Sequence, residues 1–111
     1  MISAKIDKDT RKAVYQRDGW RCAMCDSPKY IQIHHVIPRS RGGNNTMHNL
    51  ITLCSDCHAL AHGQDLRETG ITKCEIEQSM LEYMADYYAC EGYDPYTAAW
   101  WEKSGYIHGG G

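Results

Sequence analysis

The chain has 111 residues and a formal net charge of −2, which bounds it to one domain with an appended arm and a modest core that a structural metal would help to hold together. It has no long apolar run, so no membrane span is expected. Its start, Met1 to Asp9, lacks the apolar centre of a signal peptide, so the expected location is cytoplasmic, where thiols stay free or metal-bound rather than pairing as disulfides.

In chain order, Asp7 or Asp9 is placed to cap a first helix through Arg17, with Asp18-Gly19 as its stop. Trp20-Arg21 leads into a first Cys-x-x-Cys knuckle. Tyr30 to Ile37 is rich in β-formers and reads as a strand, limited by Pro38. Pro38 to Met47 is a long Gly/Asn/Ser/Arg loop, of the kind that is usually functional or mobile. His48 to Leu53 is a second short strand. A helix then starts near Ser55 and runs through His58 and His62 to Gly63. Beyond it, Thr72 and Glu75 fit a capping box. Ile76, Met80, Leu81, Met84 and Tyr87 or Tyr88 recur at helical spacing up to Glu91-Gly92. Asp94-Pro95 is a turn, Tyr96 to Lys103 a last short helix, and Gly109 to Gly111 a disordered tail. The natural division is 1–63, a metal-centred core, and 64–111, a helical, acidic and aromatic extension.

Charge follows the same division. Residues 1–63 carry about +4 and residues 64–111 about −6, which suggests a polyanion-facing front and a solvating or partner-binding back. Ordinary surface variation is the plainer alternative.

Cys22, Cys25, Cys54 and Cys57 form two Cys-x-x-Cys pairs separated by 28 residues. Two residues between thiols let one tight turn aim both sulfurs at one ion. Two such turns complete a tetrahedron that suits Zn²⁺ and leaves no open position. A redox pair would need a thioredoxin-like context, which is absent. Cys74 and Cys90 are different: on one helix they would stand about 24 Å apart, too far for a disulfide, and they read as plain thiols.

Histidines form a second group. His34 and His35 lie near the end of a strand, and His58 and His62, at i and i+4, share one helix face. If both knuckles hold one zinc, that helix is pinned beside the strands and the two histidine pairs can meet. Imidazoles with Asn49 nearby suit a divalent transition metal or Mg²⁺ with open positions for substrate. His48 and His108 show no such pattern and read as surface residues.

Residues 9 to 63 resemble the HNH endonucleases. His35, Asn49 and His58 match the three positions that name the family, and the flanking text agrees in order: Arg17-Asp18-Gly19-Trp20-Arg21-Cys22, His34-His35-Val36-Ile37-Pro38, Gly42-Gly43, Asn49-Leu50 and Leu53-Cys54-Ser55-Asp56-Cys57-His58. The subgroup it is similar to holds zinc between two Cys-x-x-Cys knuckles. The resemblance implies an α+β fold: a ββα-metal (His-Me finger) core stabilised by a four-cysteine zinc site, with additional N- and C-terminal helices. It implies a metal-dependent DNA endonuclease leaving 5′-phosphate and 3′-hydroxyl ends.

In that reading His34 is a catalytic-metal ligand and His35 the general base, imidazole being suited to proton transfer near neutral pH. His58 is a second ligand and His62 a third. Asn49 either orients the histidine loop, which is favoured, or contacts the metal. The cofactors implied are structural Zn²⁺ and a catalytic Mg²⁺, Mn²⁺ or other divalent ion. The partner implied is DNA, with Arg17, Arg21, Arg39 and Arg41 offered for phosphate contact. No base-reading helix is apparent, so nicking with low sequence specificity is expected.

Two rival readings are a zinc-knuckle nucleic-acid-binding module without catalysis and a zinc-stabilised protein-interaction adaptor. For the adaptor, the extension with Tyr83, Tyr87, Tyr88, Tyr93, Tyr96, Trp100 and Trp101 would be the partner surface. The simpler account packs these aromatics onto the core or onto a twin in a homodimer.

Overall fold

A computed structural model describes residues 6–91. The turn at Asp94-Pro95, the helix at Tyr96 to Lys103, Tyr93, Trp100, Trp101, His108 and the glycine tail lie outside the described residues. Among the described residues five main elements run in order: α1 (Lys8–Arg17), β1 (Ile31–His35), β2 (Leu50–Cys54), α2 (Ser55–Ala61) and α3 (Lys73–Tyr87). One-turn 3₁₀ helices at Arg39–Arg41, Met47–Asn49 and Ala89–Glu91 supplement them. The chain is α+β, a small antiparallel sheet with helices on both faces.

Asp7 caps α1 by accepting from the Thr10 N–H at 3.2 Å. The helix stops at Asp18, and Gly19 follows at φ +75°. β1 and β2 pair antiparallel with His34 opposite Ile51 and His35 opposite Leu50. The second strand is entirely buried, and both strands are shorter than the sequence suggests. Val36 N–H still reaches Asn49 O at 2.8 Å, but Asn49 itself belongs to a 3₁₀ turn.

Strand alternation divides the core. Leu50 packs with Val14, Ile6, Ile33 and Met47 on the α1 side. Ile51 and Leu53 pack with Leu60, Ala61, Ile76, Met80, Met84 and Tyr88 on the other. Helix α3 carries the expected capping box, Thr72 Oγ1 accepting from Glu75 N–H at 3.1 Å and Glu75 Oε1 from Thr72 N–H at 2.9 Å. Its stripe ends on Tyr88, which is buried, while Tyr87 is exposed. Residues 73–88 therefore share a core with the cysteine knuckles and β2.

The two halves are tied by a buried ion pair. Arg17 Nε and Nη2 donate to Asp18 Oδ1 and Oδ2 at 2.8 and 2.9 Å. The same guanidinium donates to Met47 O, Leu50 O and Tyr88 OH. Asp18 accepts in turn from Thr52 N–H at 2.9 Å and Tyr83 OH at 2.7 Å. One residue pair thus joins α1, the turn before β2, β2 itself and α3. Burial and the Asp18 contact push the Tyr83 phenol well above its ordinary range.

Candidate functional site

The first knuckle is a tight turn in which Cys22 N–H donates to Ser27 O and Cys25 N–H points at Cys22 Sγ at 3.4 Å. Ala23 N–H docks it on β2 through Thr52 O at 2.9 Å. In the second knuckle Cys54 ends β2 and caps α2, its Sγ accepting from Cys57 N–H at 3.4 Å. All four Sγ atoms lie within 4.8 Å of one another, with Cys25 and Cys54 3.5 Å apart. A tetrahedral Zn²⁺ with Zn–S of about 2.3 Å needs sulfurs about 3.8 Å apart, so the tetrad fits.

Backbone N–H groups and Arg67 Nη2, 3.6 Å from Cys57 Sγ, direct positive charge at sulfurs, as thiolates require. Without a cation two of the four thiols resist ionisation. Burial and the neighbouring cysteines push the Cys57 thiol far up and raise Cys54. At Cys25 burial acts upward too, but hydrogen bonds from Ser27 and the other cysteines bring it down to about 7. Cys74 and Cys90 are exposed and free.

On the other side of α2 the histidines converge. His34, on β1, faces α2 and is only 9% exposed. His58 lies within α2, and His62 caps its C-terminus, the helix ending one residue before it. Metal-competent nitrogens of all three lie within 4.8 Å of one another. His58 Nε2 and His62 Nε2 are 3.2 Å apart, the spacing of neighbouring ligands about 2.1 Å from one ion. Burial, and then the charges of His58, His62 and His35, hold His34 down at about 3; burial and His62 lower His58 as well. Neutral imidazoles are the form that binds metal, and His34 and His58 are pushed toward it, so with His62 converging on them this set also fits an ion. The trio borders an open cleft of about 250 Å³ lined by Ile33, His34, His35, Pro38, Arg39, His58 and His62.

His35 lines the cleft from the α1-facing side of β1, separated from the clustered trio by strand alternation. Its Nε2 lies 2.7 Å from Asn45 Oδ1. Asn49 is fully buried and fastens the loop. Its Oδ1 accepts from Ile37 N–H at 2.8 Å, and its Nδ2 donates to Ile37 O and Asn44 O, each at 3.0 Å. Gly43 sits where a Cβ would collide with Ile37 O and Asn49 Nδ2. The Asn49 carboxamide is thus engaged at both ends by loop backbone.

The arginines separate. Arg39 borders the cleft. Arg41 is exposed, 3.8 Å from Glu77, and Arg21 is exposed and paired with Asp26 at 3.1 Å. Arg17 is a correction to the sequence expectation. Its side chain is 1% exposed and its hydrogen bonds run to internal groups, so it does not face a phosphate. Sequence reasoning also missed Asn45 and Arg67. The Gly/Asn run marked a loop, but nothing in it says which amide reaches a histidine 10 residues away.

A strand pair and a short helix that gather three imidazoles beside a fourth, braced by a cysteine tetrad, define the ββα-metal finger class. A family model described as HNH endonuclease matches residues 22–64, and the chain belongs to the HNH endonuclease family. It is 46% identical over 37 residues to the type IV methyl-directed restriction enzyme EcoKMcrA of Escherichia coli K12, a match spanning 33% of this chain and 13% of that protein. It is 31% identical over 61 residues to anaredoxin of Nostoc sp. PCC 7120, over 54% of this chain and 80% of that one. The solved structure of the type IV phosphorothioation-dependent restriction endonuclease ScoMcrA superposes with a TM-score of 0.56 at 22% identity, over 79% of this chain and 18% of that one. That likeness is one of fold. No helix among the described residues is long and apolar enough to cross a membrane.

Proposed function

We propose that this protein is a metal-dependent DNA endonuclease. The observation that carries the proposal is the placement of a fourth imidazole, His35, in the same open cleft as the converging His34, His58 and His62. His34, His58 and His62 would hold one divalent ion, which supplies charge stabilisation at the scissile phosphate and the departing 3′ oxygen. His35 takes the proton from the attacking water as general base. Arg39 holds a phosphate at the mouth of the cleft, with Arg21 and Arg41 as outer contacts. Asn49 acts as the brace of the loop that follows His35, not as a ligand. The products carry 5′ phosphates and 3′ hydroxyls.

A three-imidazole set favours Mn²⁺ or a later transition ion over Mg²⁺, which prefers oxygen ligands. The cysteines hold structural Zn²⁺. Residues 1–63 are proposed as the catalytic unit, to which 64–91 contribute the packing of α3. One active site cuts one strand, so nicking with low sequence selectivity is the expected activity. Two of the similar proteins are restriction enzymes by name, which supports DNA as the substrate.

The test is nicking of supercoiled plasmid by zinc-loaded protein in EDTA, Mg²⁺, Mn²⁺ and Ni²⁺, alongside His35→Ala. Nicking that needs added metal, is stronger in Mn²⁺ or Ni²⁺ than in Mg²⁺, and falls by about 10²-fold or more in His35→Ala is expected. Equal nicking by the variant would remove His35 as base. No nicking of any DNA by folded, zinc-bound protein would favour the binding-module reading.

A further inference from the structure

The loop between the strands contains two asparagines whose work differs from that of Asn49. Asn44 Oδ1 accepts from Thr46 N–H at 3.1 Å and Thr46 Oγ1 at 2.7 Å, closing a tight turn of the type asparagine favours. Asn44 O accepts from Asn49 Nδ2 at 3.0 Å. Asn45 is held between these fixed points, and its Oδ1 stands 2.7 Å from His35 Nε2.

We infer that Asn45 is the positioning residue for His35: its side-chain carbonyl fixes the imidazole as the Nε2–H tautomer and leaves Nδ1 as the nitrogen that receives a proton. This rests on the reading of His35 as general base. The chemistry is that of any imidazole between an acceptor and a reacting group, where the hydrogen bond at one nitrogen decides which nitrogen is basic. An amide carbonyl does this without adding charge. When Nδ1 takes the proton from water, the hydroxide goes to phosphorus and the 3′ oxygen leaves with the P–O bonding pair. The ring becomes an imidazolium whose Nε2–H is still held by Asn45. Gly43 and Asn49 matter to this step because they set the loop that delivers Asn45.

The test reads the tautomer directly. Zinc-loaded protein with ¹⁵N-labelled histidine, free of DNA and of added second metal, is compared with Asn45→Ala and Asn45→Asp by long-range ¹H–¹⁵N spectroscopy. Wild type is expected to show His35 as Nε2–H, and Asn45→Ala a mixture of tautomers with unchanged zinc content. In plasmid nicking, Asn45→Ala is expected to lower kcat about ten- to a hundredfold with little change in KM. Asn45→Asp, whose carboxylate still accepts from Nε2–H, is expected to keep the Nε2–H tautomer. His34, His58, His62 and Arg39 share the cleft, so the comparison is made with the same metal, where their contributions are common to both proteins.

An Nδ1–H signal in wild type, a tautomer unchanged in Asn45→Ala, or loss of the Nε2–H form in Asn45→Asp overturns the proposal. Should Asn45→Ala fail to fold, the wild-type spectrum and Asn45→Asp still decide it. Failure of the nuclease reading is separable: an Asn45-dependent tautomer in a protein whose His35→Ala variant nicks normally leaves the contact standing and removes the base.

Discussion

Adjacent histidines on β1 have opposite surroundings. His34 is enclosed between the sheet and α2, and its proton affinity is depressed to about 3 by burial and three neighbouring imidazoles. An unfolded histidine titrates near 6.5, so above that pH the residue is neutral in both states and exacts no penalty. As pH falls from 6.5 toward 3, the unfolded chain binds a proton that the folded chain refuses. Stability then drops by up to about 1.4 kcal/mol per pH unit. Thermal melts of zinc-loaded protein between pH 7.5 and 5 should show this slope, and His34→Leu should lose about one proton's worth of it. Asn49 is a second single-residue device. Asn49→Ala orphans Ile37 N–H, Ile37 O and Asn44 O, at about 1–3 kcal/mol for each group that stays buried. The expected result is a lower melting temperature together with lost nicking, read by calorimetry and plasmid assay.

The element that decides the site is the loop from Val36 to Asn49, more than either strand. It starts beside the proposed base, turns through the 3₁₀ helix Arg39–Arg41, and returns to Asn49, which clasps its beginning. The close approach works because Gly43 has no side chain. Gly43→Ala would push Ile37 away from Asn49 or break the clasp, while the cysteine knuckles lie elsewhere. Zinc content is therefore expected to stay at one per chain while nicking falls at least tenfold, an order typical of displaced catalytic groups. Unchanged activity in that variant would show that the loop tolerates a looser return. The Gly-Gly and Asn-Asn runs made the segment legible in the sequence as a loop, expected to be functional or mobile. Its clasp was not legible, because it depends on a side chain from the far end meeting a backbone turn.

At the scale of the molecule, the HNH-type core and α3 form one packed body. Met80 and Met84 of α3 are fully buried against the knuckle and β2 residues, and the Arg17–Asp18 pair links both sides of the sheet. Removing one partner of a buried pair leaves the other charge stranded and costs about 3–5 kcal/mol, a large share of the roughly 5–15 kcal/mol a small domain has. Arg17→Met should therefore lower the denaturation midpoint sharply. Arg39→Ala should leave it in place and weaken DNA binding in a salt-dependent way. Equal effects of the two on DNA binding with no loss of stability would contradict the internal role of Arg17.

The residue spacing by itself determined the chemistry available to this chain. Paired cysteines make closed turns of ligands, and the i, i+4 histidines share a face whatever surrounds them, because both facts follow from local geometry. A helix start at Asp7 or Asp9, which the structure places at Asp7, the start at Thr72 and the stripe from Ile76 to Met84 were legible for the same reason. Only the tertiary structure decided the matters that depend on contacts between distant segments. It turned Arg17 inward, where Asp18 and two carbonyls compensate its burial. It chose Tyr88 over Tyr87 for the core, and it brought Asn45 to His35. Charge alone cannot distinguish an arginine that meets a phosphate from one that meets a buried carboxylate; the distinction lies in which groups the fold leaves without water.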